Sequence, residues 1–305
     1  MKTIRLKQRV KGYVDLVRPF TLLAPIIVST CIMVASFFYN GRTDGLFTVW
    51  WKVIIPASFS LAVLNGASNA LNQVTDIRVD RISKPYRPLP GGIVSIGEAK
   101  VISFIMYFLA FYLAISINVM FSVFVLLIIT FTVTYSLPPR MKDFLFLNQL
   151  WVAIPRGLLG ILASWSVFGS AFHPVPIAIG FIAMFFLIGG SVTKDITDSD
   201  ADKRTGTHTL INTFGLKKSA FMSLPFMFFP FVMIPLLIEY GILDSYLWLL
   251  TFLAIPGYFI FYLMIREKKR SKLFENTSAW TLMYVTYLGF ASGFSVLTVM
   301  GSVFV

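Results

Sequence analysis

Cysteine is almost absent from this 305-residue chain: Cys31 is the only one. One thiol excludes an intramolecular disulfide, and with two histidines it leaves too few soft ligands for a zinc site. Charge is scarce as well. Asp, Glu, Lys and Arg make up 13% of the residues, where a soluble domain carries about 25%. Acid is the scarcer sign, with 14 carboxylates against 26 Lys and Arg. No basic run is interleaved with aromatics, which argues against a nucleic-acid partner. What is present instead is apolar: 57% hydrophobic residues, 31 of them Phe, and a mean hydropathy of +0.78. That composition excludes a soluble globular domain. It points to an all-α polytopic membrane protein with room for about nine spans of ~20 residues. The basic N-terminus runs into Asp15 and Arg18-Pro19 before the first apolar stretch, so no cleavable leader is expected.

The apolar runs predict spans at about 20–39, 53–74, 99–117, 119–136, 146–167, 174–193, 218–238, 243–265 and 279–303. Residues 1–18 form a basic segment, expected as an interfacial helix with Tyr13, Leu16 and Val17 as its apolar contacts. The loops alternate in charge. Segments 1–18, 76–100, 140–142, 194–218 and 266–272 hold 23 of the 26 Lys and Arg, while the opposite side holds Arg42 and Lys52. By the positive-inside rule the N-terminus and the loops of the charged side face the cytoplasm, in a multi-pass protein of the cell membrane. The excess of cations also suits anionic lipid headgroups.

The stretch that organises the chain closes the second apolar run: Asn72-Gln-Val-Thr-Asp76-Ile-Arg-Val-Asp80. On a helix, positions i, i+4 and i+8 advance only about 40° per step, so Asn72, Asp76 and Asp80 share a face. Oxygen ligands of this kind suit a hard cation such as Mg²⁺. The motif returns 122 residues later as Asp198 and Asp202, with Lys194 at the position of Asn72. Basic residues crowd both copies, a composition suited to a metal-bound phosphate or diphosphate. Anchoring at a membrane surface calls for Lys and Arg rather than carboxylates. The two motif helices lie an even number of spans apart, so the halves, about 20–136 and 146–265, enter the membrane in the same direction. Such parallel halves, followed by a last helix at 279–303, place the two Asp sets across a shared central cavity.

These blocks resemble those of the UbiA-type intramembrane prenyltransferases, with NxxxDxxxD early and DxxxD late. Lys84-Pro-Tyr-Arg-Pro-Leu-Pro-Gly-Gly-Ile-Val-Ser95 resembles the family's Pro-rich loop, with Gly91 where the family has Ser. Lys194-Asp-Ile-Thr-Asp198 through Asp202, Gly206, Thr209-Leu210 and Phe214-Gly215 resembles its second block. The resemblance implies one domain over 1–305: a ring of nine helices around a cavity, the Asp motifs facing each other under a cytoplasmic cap. It also implies Mg²⁺-dependent transfer of a prenyl group from an isoprenyl diphosphate to a lipophilic acceptor.

Asn72, Asp76, Asp80, Asp198 and Asp202 are the expected metal ligands, enough for two Mg²⁺ ions bridging the diphosphate. Tyr135-Ser-Leu-Pro-Pro-Arg140-Met-Lys142 resembles a family turn whose Tyr and Lys reach the diphosphate, so Tyr135 and Lys142 are assigned there, with Arg87 and Lys194. Lys84 and Arg81 stand nearby, either as further contacts or as solvated charges. Asp195 shares a face with Asp198 and Asp202, whereas Asp200 does not; Asp195 is read as ligand, cation stabiliser or base, or as an ion-pair partner of Lys194. Arg156 is the one charge deep in an expected span, and intramembrane charges mark function. It is expected to pair with Asp195 or to meet the acceptor. Asn148 either faces the cavity or caps its helix, His208 is a loop residue, and Arg18 a headgroup anchor.

The donor implied is geranylgeranyl diphosphate. The surplus of cations suits an acceptor bearing its own anion, and the loop sequences look closest to the geranylgeranylglyceryl-phosphate and chlorophyll-synthase branches. Prenylation of an aromatic quinone precursor or a chlorophyllide is the alternative, as is a terpene cyclase on the same scaffold. From another class, a cation or substrate transporter would place its site near the bilayer midplane, whereas these motifs sit at helix ends.

Overall fold

A computed structural model describes residues 6–43, 45–266 and 277–304; the expected charged loop at 266–272 lies almost wholly outside them. The described residues are helical throughout, without strands. A short helix α1 (Leu6–Val17) leads into α2 (Pro19–Tyr39) and α3 (Leu46–Thr75). Then follow α4 (Ile77–Ser83), α5 (Ile96–Ile117), α6 (Val119–Ser136) and α7 (147–165). The remainder is α8 (Pro174–Ile196), α9 (Ser199–Thr205), α10 (Leu210–Phe214), α11 (Leu216–Glu239), α12 (Ser245–Arg266) and α13 (Ser278–Phe304).

Local chemistry sets the ends. Ser95 and Glu98 form a reciprocal capping box at the start of α5, and the Asn118 side chain accepts from Phe121 N–H at the start of α6. Pro56 and Pro155 lack the N–H an α-helix needs, and each accompanies a wider π turn, at Trp50–Ile54 in α3 and Ile154–Leu159 in α7.

The long helices pack on their neighbours in chain order, and α13 closes on α2 to complete a ring. One apolar cluster joins α3, α5 and α6, a second joins α8 and α11 to α13, and both draw on α2 and α7. α8 is the innermost span, 72% buried over its apolar window, whereas α5 is 17% buried and faces outward.

Among the described residues, eight of the nine expected spans meet the requirement of length and apolar composition. The expected fifth, α7, follows a continuous helical path in the ring, but Asn148, Gln149 and Arg156 make it more polar than the others. The outward face of α1 differs from expectation. Leu6, Val10 and Val14 are exposed, while Tyr13 donates to Glu98 and Leu16 is buried. Gly12 decides this: a Cβ there would lie 2.6 Å from Ile93, so only glycine lets α1 settle on the Pro-rich loop.

Candidate active site

Backbone hydrogen bonds link every fourth position of the first motif across a break in the helix at Asp76. Asp76 N–H reaches Asn72 O at 2.9 Å, Asp80 N–H reaches Asp76 O at 2.8 Å, and Lys84 N–H reaches Asp80 O at 2.8 Å. The helix bends at Asp76 (φ −101°, ψ 12°), and Asp198 bends alike (φ −98°, ψ −5°) before Asp202 N–H reaches Asp198 O at 2.8 Å. The repeat read in the sequence is therefore also a repeat of backbone shape. The first aspartate of each motif heads a seven-residue helix, and these two helices, α4 and α9, pack on each other.

A second stripe on α3 fixes the entrance. Asn65, Asn69 and Gln73 donate to the carbonyls of Thr21 (3.1 Å), Val17 (2.9 Å) and Leu16 (2.7 Å). These amides hold the α1–α2 junction, where Arg18 takes a left-handed backbone (φ 56°) and lines the cavity. Arg18 is thus a cavity residue and not a headgroup anchor.

One cavity of about 200 Å³ is lined by all of the expected site residues: Asn72, Asp76, Asp80, Arg87, Tyr135, Lys142, Arg156, Lys194, Asp195, Asp198 and Asp202. Its carboxylates are largely met by cations. Lys84 Nζ, contributed by the loop after the first motif, lies 2.5 and 2.6 Å from the two oxygens of Asp198 in the second. Arg87 Nη1 donates to both oxygens of Asp80 at 2.8 and 2.9 Å. Lys142 Nζ bonds Asp76 at 2.5 Å, Asn72 Oδ1 at 2.9 Å and Thr75 Oγ1 at 3.2 Å. Lys194 pairs with Asp195 Oδ1 at 2.6 Å and reaches Asn148 Oδ1 at 3.2 Å, which also accepts from the Tyr135 hydroxyl at 3.1 Å. Asn148 therefore faces the cavity. Lys84 is buried and paired rather than solvated. Arg156 does not pair with Asp195; among the described residues its guanidinium reaches only Asn65 Oδ1, at 3.5 Å. His208 is exposed in its loop, and Asp200 is not among the lining residues.

Asp198 is half-buried, which alone would raise its pKa, but the Lys84 ammonium holds its carboxyl below the usual range. Asp202 goes the other way. Burial, then Asp195 and Asp198 as neighbouring charges, push it up to about 7. Among the described residues no three carboxylates already converge on an ion position, because lysines and an arginine occupy them. The donor set nonetheless fits a hard divalent cation. The motif ligands are all oxygen donors, no Cys or His lines the cavity, and Asp195 Oδ2 is buried without a partner.

The polar cavity adjoins an apolar one. A chamber of about 130 Å³, lined by Val28, Leu61, Leu64, Ile128, Leu187 and Met283, shares Thr21, Thr132, Pro155, Arg156 and Trp280 with it. The pairing of Lys84, the inward turn of Arg18 and the shared wall residue Trp280 all escaped the sequence reading. Arg18-Pro19 at the head of the first span was the one available signal.

The profile of the UbiA prenyltransferase family matches residues 22–283. The digeranylgeranylglyceryl phosphate synthase of Methanosphaera stadtmanae is 24% identical over 92% of this chain and 98% of its own length. The chloroplastic homogentisate solanesyltransferase of Arabidopsis thaliana is 30% identical over 67% of this chain and 55% of its own length. The structure of a UbiA homologue from Archaeoglobus fulgidus, bound to GPP and Mg²⁺, superposes with a TM-score of 0.66 at 22% identity, covering 96% of this chain and all of the other. With motifs, ring and profile in agreement over most of its length, this multi-pass membrane chain belongs to the UbiA prenyltransferase family.

Proposed function

We propose that this chain transfers a geranylgeranyl group from its diphosphate to the free hydroxyl of a geranylgeranylglyceryl phosphate-type lipid, with Mg²⁺ as cofactor. One observation carries the reading: a charged cavity with both Asp motifs shares a wall with an apolar chamber. That is the shape of an amphiphile with a diphosphate head and an isoprenoid tail. Full-length relatives named digeranylgeranylglyceryl phosphate synthase support the acceptor.

In this reading Asn72, Asp76 and Asp80 on one side, and Asp198 and Asp202 on the other, hold two Mg²⁺ ions. When bound, the metal neutralises the diphosphate and makes it a competent leaving group. Lys84, Arg87, Lys142 and Lys194 exchange their carboxylate partners for phosphate oxygens, and the Tyr135 hydroxyl donates to the same group. The C1–O bond breaks with its electron pair leaving on the diphosphate, and an acceptor hydroxyl oxygen forms the new bond to C1. Its proton passes to Asp195, whose Oδ1 is held by Lys194 while Oδ2 stays open. The motif end of the ring faces the cytoplasm, since 23 of 26 Lys and Arg lie in loops of that side. The halves 20–136 and 146–265, with the last helix, make up a single domain.

The experiment is an acceptor competition with labelled geranylgeranyl diphosphate and Mg²⁺. Prenylation of the glyceryl phosphate lipid is expected. Prenylation of homogentisate or chlorophyllide in its place would overturn the acceptor and keep the transferase. The relationship to the homogentisate solanesyltransferase makes the aromatic acceptor the second reading.

A further inference from the structure

The cavity cations are not all in the same state. Lys84, Arg87, Lys142 and Lys194 each rest on a carboxylate. Arg156 has no carboxylate at ion-pair distance among the described residues, only the Asn65 amide oxygen at 3.5 Å. It sits at the boundary between the charged cavity and the apolar chamber and lines both. Arg156 is exposed to the cavity rather than packed away, so its charge is open to a ligand that enters there.

The surroundings hold it in place. The π turn Ile154–Leu159 widens the helix at this point. Gly157 packs so tightly on α8 that a Cβ would lie 2.5 Å from Met184 Cα, which fixes how this turn of α7 faces its neighbour. The Tyr287 hydroxyl donates to the Arg156 carbonyl at 2.8 Å. Asn65 is itself oriented by donating to Thr21 O at 3.1 Å, which leaves its oxygen for the guanidinium. Arg156 is thus positioned from α3, α8 and α13 while its charge remains unmet.

We infer that Arg156 is the binding site for the anionic headgroup of the acceptor, separate from the Mg²⁺–diphosphate site. This rests on the prenyl-transfer reading above and deepens it. A diphosphate at the motifs occupies the Lys and Arg paired there. Its allylic carbon then lies toward the apolar chamber, and an acceptor must present its nucleophile at that boundary. A guanidinium offers a planar fork that matches phosphate or carboxylate oxygens. The ligand is therefore an oxyanion on an apolar tail, a phosphate ester in the lipid reading.

The test uses the full chain in lipid nanodiscs. Arg156→Gln is expected to raise the KM for the glyceryl phosphate lipid roughly ten- to a hundredfold, the worth of a charged hydrogen-bonded contact. Binding of an unreactive geranylgeranyl diphosphate analogue with Mg²⁺, read by calorimetry, should stay within about threefold on the same basis. Arg156→Lys should restore part of the acceptor KM. Asn65→Asp is the second variant: it keeps the arginine, supplies the missing carboxylate, and should raise the acceptor KM as well. An acceptor with hydroxyl in place of phosphate should be poor with wild type and insensitive to either change. If Arg156→Gln weakens analogue binding and spares the acceptor KM, the residue belongs to the diphosphate and the inference fails. If wild type uses the neutral acceptor as well as the charged one, it also fails. If an aromatic carboxylic acid is the acceptor and depends on Arg156, the inference stands and the lipid reading falls.

Discussion

Lys84 is the perturbation with the sharpest consequence. It bridges the two motifs, its Nζ 2.5 and 2.6 Å from the carboxylate oxygens of Asp198, with side chains 8% and 26% exposed. A Mg²⁺ ion arriving at Asp198 must first displace it. The bare attraction at such a separation is about 6 kcal/mol at an effective dielectric of ~20. After desolvation, about 1.5–3 kcal/mol remains for a charged hydrogen bond. Lys84→Met removes this competitor and keeps the apolar stem. Mg²⁺ binding without diphosphate, measured by calorimetry, should therefore tighten roughly ten- to a hundredfold. The same variant should bind an unreactive diphosphate analogue less tightly at saturating Mg²⁺, by roughly tenfold, because one phosphate-facing cation is gone. Lys84→Arg should behave nearly as wild type. Weaker or unchanged Mg²⁺ binding in Lys84→Met would refute the reasoning, since it would mean that the lysine does not compete with the ion.

Other consequences are as direct. Asp76→Asn and Asp202→Asn should each lower turnover at least about a hundredfold through lost ion binding; thermal unfolding should change little in Asp202→Asn, whereas Asp76→Asn also breaks the pair with buried Lys142. Asp80→Asn should also cost about 3–5 kcal/mol of stability, because it leaves buried Arg87 without its carboxylate. Asp202 sits up at about 7, so it is protonated below that pH and ionised above it. A metal must displace this proton, so apparent Mg²⁺ affinity should rise roughly tenfold from pH 6 to pH 8. Without metal the sign reverses for stability: the fold holds a proton there that the unfolded chain has lost, so stability falls as pH rises from about 4 to 7. A flat Mg²⁺ titration across this range would remove Asp202 from the ion site. A reporter cysteine at Arg42 should label from outside the cell and one at Arg81 from inside; labelling of both from one side would break the topology.

Spacing made the motif faces legible, because a backbone hydrogen bond joins Asp76 and Asp80 whatever packs around them. Apolar runs likewise located the spans, although α3 starts at Leu46 rather than near 53 and the polar Asn148, Gln149 and Arg156 set α7 apart. What the chain conceals is pairing at a distance. Lys84 meets Asp198 across 114 residues, and only the ring brings them together. The two apolar stripes of α1 are alike in sequence. Which one turns outward is decided by Gly12 against Ile93, a contact between segments far apart in the chain. Arg18 was hidden for another reason: its left-handed backbone and the amide stripe of α3 turn it inward.

The most direct measurement is a single-turnover balance. The purified chain would be given labelled geranylgeranyl diphosphate, Mg²⁺ and geranylgeranylglyceryl phosphate, and the released diphosphate compared with the ether lipid formed. The account predicts equal amounts of the two, with neither appearing when Mg²⁺ is chelated. Diphosphate release accompanied by hydrocarbon or cyclised products, with no ether lipid, would contradict transfer and identify a cyclase. No metal-dependent release at all would contradict the site itself.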